Sequence, residues 1–468
     1  MFSLLIILLS AASVFALYKL LKANKLKDEL IISIMKVMVI AFAALGLFRF
    51  FLSDAFVEVA TKPLYAPHQS IARWLYYVGY AILPISVFSG SRLFRNLSVV
   101  ISLPASFFST LLFSDTMNYF LRPEGNGFDL NTPIRYILYI LELTLALAIP
   151  LMTIVIRGHR TPPPRDKREI VDLALAIPAI LIVMMPVYIP QSLIGYTKIS
   201  FSSFSTMHLG WMAYIAVLTL VIILYFKRRP MKDRHLMLVF MTIAQVFNSM
   251  SAMLRGFYIS RLPLQLCSIA AFFYLITVLT RNKKLFHFCF VVNLVGGLIA
   301  VVLAFFDVGA LQFWNVHYMH EHTFVMVIPI VALALGVFPR LEWRYIPSAI
   351  KIFSIYFVCC LVAGTVLNGY YDVIGHIIGV KPLNFFYMLS PEVAVSYLPF
   401  ATFVGLIEWK FGKFVIYPLL VLVVYFAFVS LFMLFFLAMK LGYKIKDTIS
   451  DKLSKAKARK EENTVPSV

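Results

Sequence analysis

One cysteine and a group of histidines are the residues of this chain best placed to do chemistry together. Cys267 closes the stretch Leu262-Pro263-Leu264-Gln265-Leu266-Cys267, and one apolar hairpin later comes His317-Tyr318-Met319-His320-Glu321-His322-Thr323. Proline in a first helical turn is preorganised, and the start of a helix offers partial positive charge to a thiol placed there. That charge favours the thiolate, the nucleophilic form of cysteine. A histidine near enough to take the thiol proton completes a Cys–His pair, as used in nucleophilic acyl transfer. His322 is the candidate base. Glu321 lies roughly 100° from it around a helix, so it is a weak candidate for orienting that imidazole directly. His317, His320 and Glu321 stand at i, i+3 and i+4, a spacing that suits a metal. No fourth ligand accompanies them and the HExxH order is absent, so a metal is the lesser reading and no cofactor is expected. The bland alternative is that Cys267 is a small packing residue in an apolar helix.

What must position these residues is a membrane bundle. Hydrophobic residues make up 61% of the 468 and charged residues 14%, and apolar runs of 18 or more recur along the chain. This composition excludes an ordinary soluble protein and predicts a polytopic helical one. Continuous blocks such as Phe414 to Met439 exclude the short alternating segments of a membrane barrel. The net charge of +20 does not point to nucleic acid, because of where it falls. Basic residues cluster in every second link: Lys19 to Lys27, Arg92 and Arg95, Arg157 to Arg168, Lys227 to Arg234, Arg281 to Lys284, Arg340 and Arg344, and the tail from Lys440. The links between them carry few, which is the positive-inside pattern.

Thirteen spans follow, at about 2–18, 30–52, 73–91, 94–114, 133–156, 169–190, 206–226, 236–257, 264–280, 285–306, 319–339, 347–369 and 413–439. Odd parity places the N-terminus outside and the C-terminus inside, and puts Cys267 and His322 at the outer face. The first span reads as a retained helix rather than a signal peptide. Ser450 to Val468 reads as a disordered, polar inner tail. Cys289, Cys359 and Cys360 fall within apolar spans and set no disulfide framework.

The chain also repeats itself. Leu93-Phe94 aligns with Leu285-Phe286, which carries Asp115 onto Asp307 without a gap. More sharply, Tyr139-x-x-Glu142-x-Thr144-x4-Ile149-Pro150 recurs as Tyr318-x-x-Glu321-x-Thr323-x4-Ile328-Pro329. Two parallel six-helix copies plus a final helix are therefore expected, with Leu75 and Leu143 standing where the second copy has Cys267 and His322. Residues 1–199 form a degenerate N-terminal repeat, 200–440 the second transmembrane domain, and 441–468 a cytoplasmic basic and polar tail. The Thr161-Pro162-Pro163-Pro164 link reads as a stiff inner spacer. Glu142, within a span, is either a functional carboxylate or a neutral, hydrogen-bonded structural one. His208, after Phe201-Ser202-Ser203-Phe204-Ser205, caps its helix or reaches the site's outer face. The segment Lys381 to Pro391 is apolar and aromatic without being a span, so it lies at the interface or folds back as a lid.

Residues 200–440 resemble the YwaF and transmembrane-protein-164 family of integral membrane proteins. The resemblance rests on His208 after its Phe/Ser stretch, on Leu262-Pro263-Leu264-Gln265-Leu266-Cys267, on His322-x5-Ile328-Pro329, and on Asn384-Phe385-Phe386-Tyr387-Met388-Leu389-Ser390-Pro391. The vertebrate branch resembles cysteine-dependent acyltransferases that move a fatty acyl group between phospholipids, and is similar in fold to the androgen-induced membrane lipid hydrolases. The resemblance implies Cys267 as nucleophile and His322 as base; His208, Glu321, Asn384 and Tyr387 are expected to contact the substrate, and membrane phospholipids are the expected partners. The expected location is a bacterial plasma membrane, as a multi-pass protein. The copy before residue 200 is an addition to the shorter family members. Two other functions compete: a transporter or flippase using Glu142 and Glu321 at matched positions, and a non-catalytic membrane scaffold.

Overall fold

The computed structural model describes residues 1–23, 28–52, 67–113, 132–155, 167–195, 200–251, 258–261, 264–302, 304, 306–379, 383–392 and 401–462. Pro263, Asp115 and the Thr161–Pro164 spacer lie outside them, as does the Lys381-Pro382 start of the aromatic loop segment.

Helices dominate. In chain order they are α1 (Phe2–Lys22), α2 (Asp28–Leu52), α3 (Pro67–Ser89), α4 (Arg92–Leu97), α5 (Leu103–Leu111), α6 (Thr132–Val155), α7 (Lys167–Val183), α8 (Ile189–Ile194), α9 (Thr206–Phe226), α10 (Met231–Ser251), α11 (Leu266–Thr280), α12 (Lys283–Phe288), α13 (Leu294–Val302), α14 (Phe313–Ala334), α15 (Ile346–Gly369), α16 (Tyr371–Ile378), α17 (Ala401–Val404) and α18 (Pro418–Glu462). A π-helical turn joins α4 to α5 at Ser98–Ser102, and another joins α12 to α13 at Cys289–Asn293. Two small antiparallel pairs complete the described residues: β1 (Ser200–Phe201) with β2 (Phe306–Gly309), and β3 (Trp409–Phe411) with β4 (Phe414–Ile416).

Eight helical stretches among the described residues are long and apolar enough to cross a membrane, and the chain is an all-α, multi-pass membrane protein. The other stretches expected to span are also helical but differ in kind. The Arg92–Leu111 region runs through a π turn, as does the counted stretch Lys283–Val302, α7 and α11 are short, and α10 and α14 carry polar side chains.

The chain divides into two compact units. The first holds residues 1–282, 296–338 and 373–380. In it α1 packs on α6, α2 on both α3 and α6, α9 on α14, and α10 on α3, α11 and α14. The ring of Phe247 on α10 stacks against Tyr80 of α3 at 5.4 Å and meets Tyr77 edge-on at 5.6 Å. Arg234, at the start of α10, donates to the carbonyls of Lys227 and Leu335, the free C-terminal acceptors of α9 and α14.

The second unit holds residues 283–295, 339–372 and 381–468. There α12 packs on α15, and Phe353 and Phe357 gather Phe386 and Tyr425 into an aromatic cluster. Two expectations are corrected here. The last span starts at Pro418 rather than 413, because Gly412, at φ +60°, turns the preceding residues into the β3–β4 hairpin. The tail from Ser450 is helical as far as Glu462 rather than disordered. Its Ala, Lys, Arg and Glu residues favour helix, Asp451 and Lys455 stand at the i, i+4 spacing, and no glycine or proline occurs before Pro466. Arg340 clamps this extension with two hydrogen bonds to Asp447, at 2.7 and 2.8 Å.

Candidate active site

The site is built by α10, α11, α14 and the part of α13 from Gly296 onward, all within the first unit. Cys267 is the second residue of α11, partly buried, where the first turn leaves backbone N–H groups unpaired and the helix dipole is positive. His322 lies mid-way along α14, 6% exposed, with Glu321 beside it at 5%. Behind both runs α13, whose Gly296-Gly297 pair lets the helices close up. A side chain at Gly296 would meet Leu266, the neighbour of Cys267, at 3.6 Å. One at Gly297 would meet Val325 at 3.0 Å, Met326 at 3.2 Å and the His322 carbonyl at 3.4 Å. Replacing Gly297 with leucine should therefore overpack the α13–α14 contact, lowering stability by about 1–3 kcal/mol. A thermal melt of the purified protein, against a Gly210→Leu control at a position with nothing within 4 Å of the added carbon, checks this.

A serine of α10 ties α11 to α14 beside the two reactive residues. Ser249 Oγ donates to Glu321 Oε1 at 2.6 Å and lies 3.3 Å from the carbonyl of Ser268. It thus touches the residue after Cys267 and the residue before His322. Gln245, one turn earlier, donates from Nε2 to the Glu321 carbonyl at 3.1 Å. On the other side Tyr274 of α11 donates to the Val325 carbonyl at 2.7 Å, fixing α11 to α14. The Glu321 carboxylate also faces His317 Nε2 at 4.0 Å, one turn earlier on α14.

The tautomer of His322 follows from its hydrogen bond. Nδ1 lies 2.7 Å from the Tyr318 carbonyl, which can only accept, so Nδ1 carries the proton and Nε2 is left as a base. The Tyr318 ring lies at 4.1 Å from the imidazole, and its hydroxyl donates to Ala300 of α13. Cys267 makes no hydrogen bond to His322 or to any other described residue.

The remaining expected site residues sit differently. His208 is fully buried in the first unit, with Nδ1 accepting the Phe204 N–H at 2.7 Å and Nε2 donating to the Val301 carbonyl at 2.6 Å. Ser205 caps the same helix through the His208 N–H. Both ring nitrogens of His208 are spent on backbone, which ties the loop before α9 to the end of α13.

Asn384 and Tyr387 belong to the second unit. Asn384 Oδ1 accepts the Leu389 N–H at 2.8 Å and Nδ2 reaches the Ser390 carbonyl at 3.4 Å. Phe386 and Tyr387 both have positive φ, 54° and 59°, an uncommon strain for bulky residues. The Phe386 ring offsets it by packing on Phe353, Tyr356, Phe357 and Phe428. With Leu383, Phe385, Met388 and Leu389 buried, this segment folds back into its unit rather than lying exposed. Asn384→Ala should leave the Leu389 N–H unpaired and cost about 1–3 kcal/mol. Faster amide hydrogen exchange at Leu389 is the measurement.

No group of three metal-binding side chains converges among the described residues, so His317, His320 and Glu321 share a helix without forming a metal cage. The polar face of α10 went unread in the sequence. Its signal was there: Gln245, Asn248 and Ser249 stand at i, i+3 and i+4, a polar stripe within an apolar span. Tyr76 and Tyr80, at i and i+4 on α3, were likewise missed as the partners of Glu142. Both phenols donate to its Oε1, the first at 3.0 Å.

The fold and this cluster define a multi-pass helical membrane protein with a buried polar site among its helices. The chain belongs to the TMEM164 family, which matches residues 200–441. No curated protein and no solved structure matches it.

Proposed function

We propose that this protein is a membrane-embedded lipid acyltransferase, with acyl hydrolysis as the outcome when water replaces the acceptor. Cys267 is the nucleophile and His322 the base. The observation that carries the reading is the Ser249 bridge, which couples the helix whose first turn holds Cys267 to the one bearing His322. His322 Nε2 is free to receive the thiol proton as Sγ bonds to the ester carbonyl carbon. The C–O bond to the donor lipid then breaks, and His322 returns the proton to the departing alcohol. A lysolipid hydroxyl reverses these steps on the acyl-cysteine. Catalytic hydrogen bonds are often formed only with substrate in place, and the Cys267–His322 contact is one that closes then.

The finer architecture belongs to the same reading: thirteen spans, an outer N-terminus, and two parallel copies with the site open laterally to phospholipids of the outer leaflet. Several features support duplication. The α4–π–α5 and α12–π–α13 segments have matching lengths of 6, 5 and 9 residues. Helices α1 and α9 are each 21 residues long, and Pro150 and Pro329 interrupt α6 and α14. The contacts α1–α6, α2–α3 and α2–α6 recur as α9–α14, α10–α11 and α10–α14. Transport through the matched carboxylates has less behind it, since Glu142 is 1% exposed and already holds two phenols.

A thiol-directed lipid probe tests the nucleophile. The wild type should label and Cys267→Ala should not; equal labelling of the two would sink the assignment.

A further inference from the structure

The short ribbon before the last span has two unlike faces. In β3 the side chains of Trp409 and Phe411 point one way and Lys410 the other, since successive strand residues alternate. Trp409 and Phe411 meet edge-on with ring centroids 6.5 Å apart. Glu408 stands on the Lys410 side, and the two form an ion pair at 2.6 Å. The register pairs Trp409 with Ile416 and Phe411 with Phe414, so Ile416 and Phe414 add to the aromatic face. One face of the ribbon is therefore apolar, and the other carries the charge of β3.

The place of the ribbon in its unit says what meets the apolar face. It packs on the end of α15: the Phe414 and Tyr370 rings lie 5.9 Å apart, and a side chain at Gly369 would meet Phe414 at 2.6 Å and the Lys413 carbonyl at 3.1 Å. The 24 residues of α15 extend about 36 Å, more than the roughly 30 Å of a hydrocarbon core, so Gly369 reaches the headgroup region. Pro418, just after β4, opens α18, so two membrane-crossing helices reach that boundary together. Within two turns of it Val362 and Val366 of α15 and Leu422 of α18 are exposed, as the lipid-facing residues of crossing helices are. Phe403, Leu406, Ile407, Trp409 and Phe411 are each at least half exposed, which continues this apolar surface into the ribbon. Tryptophan favours this depth, where its ring lies among acyl chains and its N–H meets water. Lys413 Nζ lies 3.0 Å from the centre of the Tyr370 ring, a cation at the level of lipid phosphates.

We propose that the segment from Phe403 to Phe411 is an interfacial anchor, with its apolar face among the upper acyl chains and its Glu408–Lys410 face toward water. It does not cross the bilayer. It fixes the depth at which α15 ends and α18 begins, and its partner is the phospholipid bilayer, engaged through the acyl chains. This inference holds or fails independently of acyl transfer.

Trp409 reports its own position. Full-length protein is placed in nanodiscs of phosphatidylcholine brominated either close to the glycerol or close to the chain ends, and the emission of Trp409→Phe is subtracted from that of the wild type. The Trp409 signal should be quenched more by bromine near the glycerol than by bromine at the chain ends, and little by iodide in the water. Phe411→Glu puts a charge on the apolar face and should abolish the lipid quenching and admit iodide. Lys410→Gln, on the other face, should leave both unchanged. Thermal melts check that each variant folds, and should Phe411→Glu not fold, the wild-type difference decides alone. A Trp409 signal open to iodide and untouched by brominated lipid, one quenched most from the chain ends, or one shielded from both as beneath a second copy or another protein overturns the proposal.

Discussion

Cys267→Ala is expected to lower acyl transfer between phospholipids by on the order of 10³–10⁶-fold, because the covalent route is lost outright. His322→Ala should fall in the same range, and the double variant should be no worse than either single one. That non-additivity is the mark of two residues acting in one step. It follows from the geometry: His322 has one nitrogen spent on the Tyr318 carbonyl, so its whole contribution runs through Nε2 and the thiol proton. Rates of labelled acyl appearance on added lysolipid, measured in proteoliposomes for the three variants, check the pattern. Additive losses would mean that the two residues serve different steps.

Glu321→Gln should produce the second large effect, a loss on the order of 10²–10⁴-fold in transfer with folding preserved. The amide keeps an acceptor for Ser249 and the volume of the side chain. What it removes is the negative charge that stabilises the His322 imidazolium formed when the thiol proton arrives. Glu321→Leu should in addition remove the acceptor of the 2.6 Å bond from Ser249 and lower stability by about 1–3 kcal/mol. Turnover and melting temperature measured on both variants separate the two contributions. If Glu321→Gln transfers acyl chains at the wild-type rate, the carboxylate is a packing residue.

The all-helical membrane architecture was legible in the sequence because apolar runs and basic links are read over many residues at once. Local departures were not. The π turns at Ser98–Ser102 and Cys289–Asn293 insert one extra residue into ordinary apolar stretches, and nothing in their composition marks them. The helical course of α18 past Lys440 was hidden by charge, which signals departure from the membrane but says nothing of backbone order. Cys267 at a helix start was readable from the residues before it. The place of Glu321 depends on its reach to Ser249 and Gln245 of α10, which spacing along its own helix does not show. Ser249 and Ser251 look like ordinary helix residues, and only the packing of α10 against α14 gives them carboxylate and imidazole partners. His208 shows the converse: a histidine beside a serine-rich loop reads as available, and the fold uses both its nitrogens on carbonyl and amide groups.

The central claim is that an acyl chain passes through Cys267. Intact-protein mass spectrometry of the full chain, after incubation in nanodiscs with a phospholipid bearing an isotopically labelled acyl group, tests it most directly. A thioester adduct of that acyl mass on Cys267, absent in Cys267→Ala and cleared on adding lysolipid, is the expected result. Lysolipid acylation that proceeds undiminished in Cys267→Ala, with no adduct on the wild-type thiol, would contradict it.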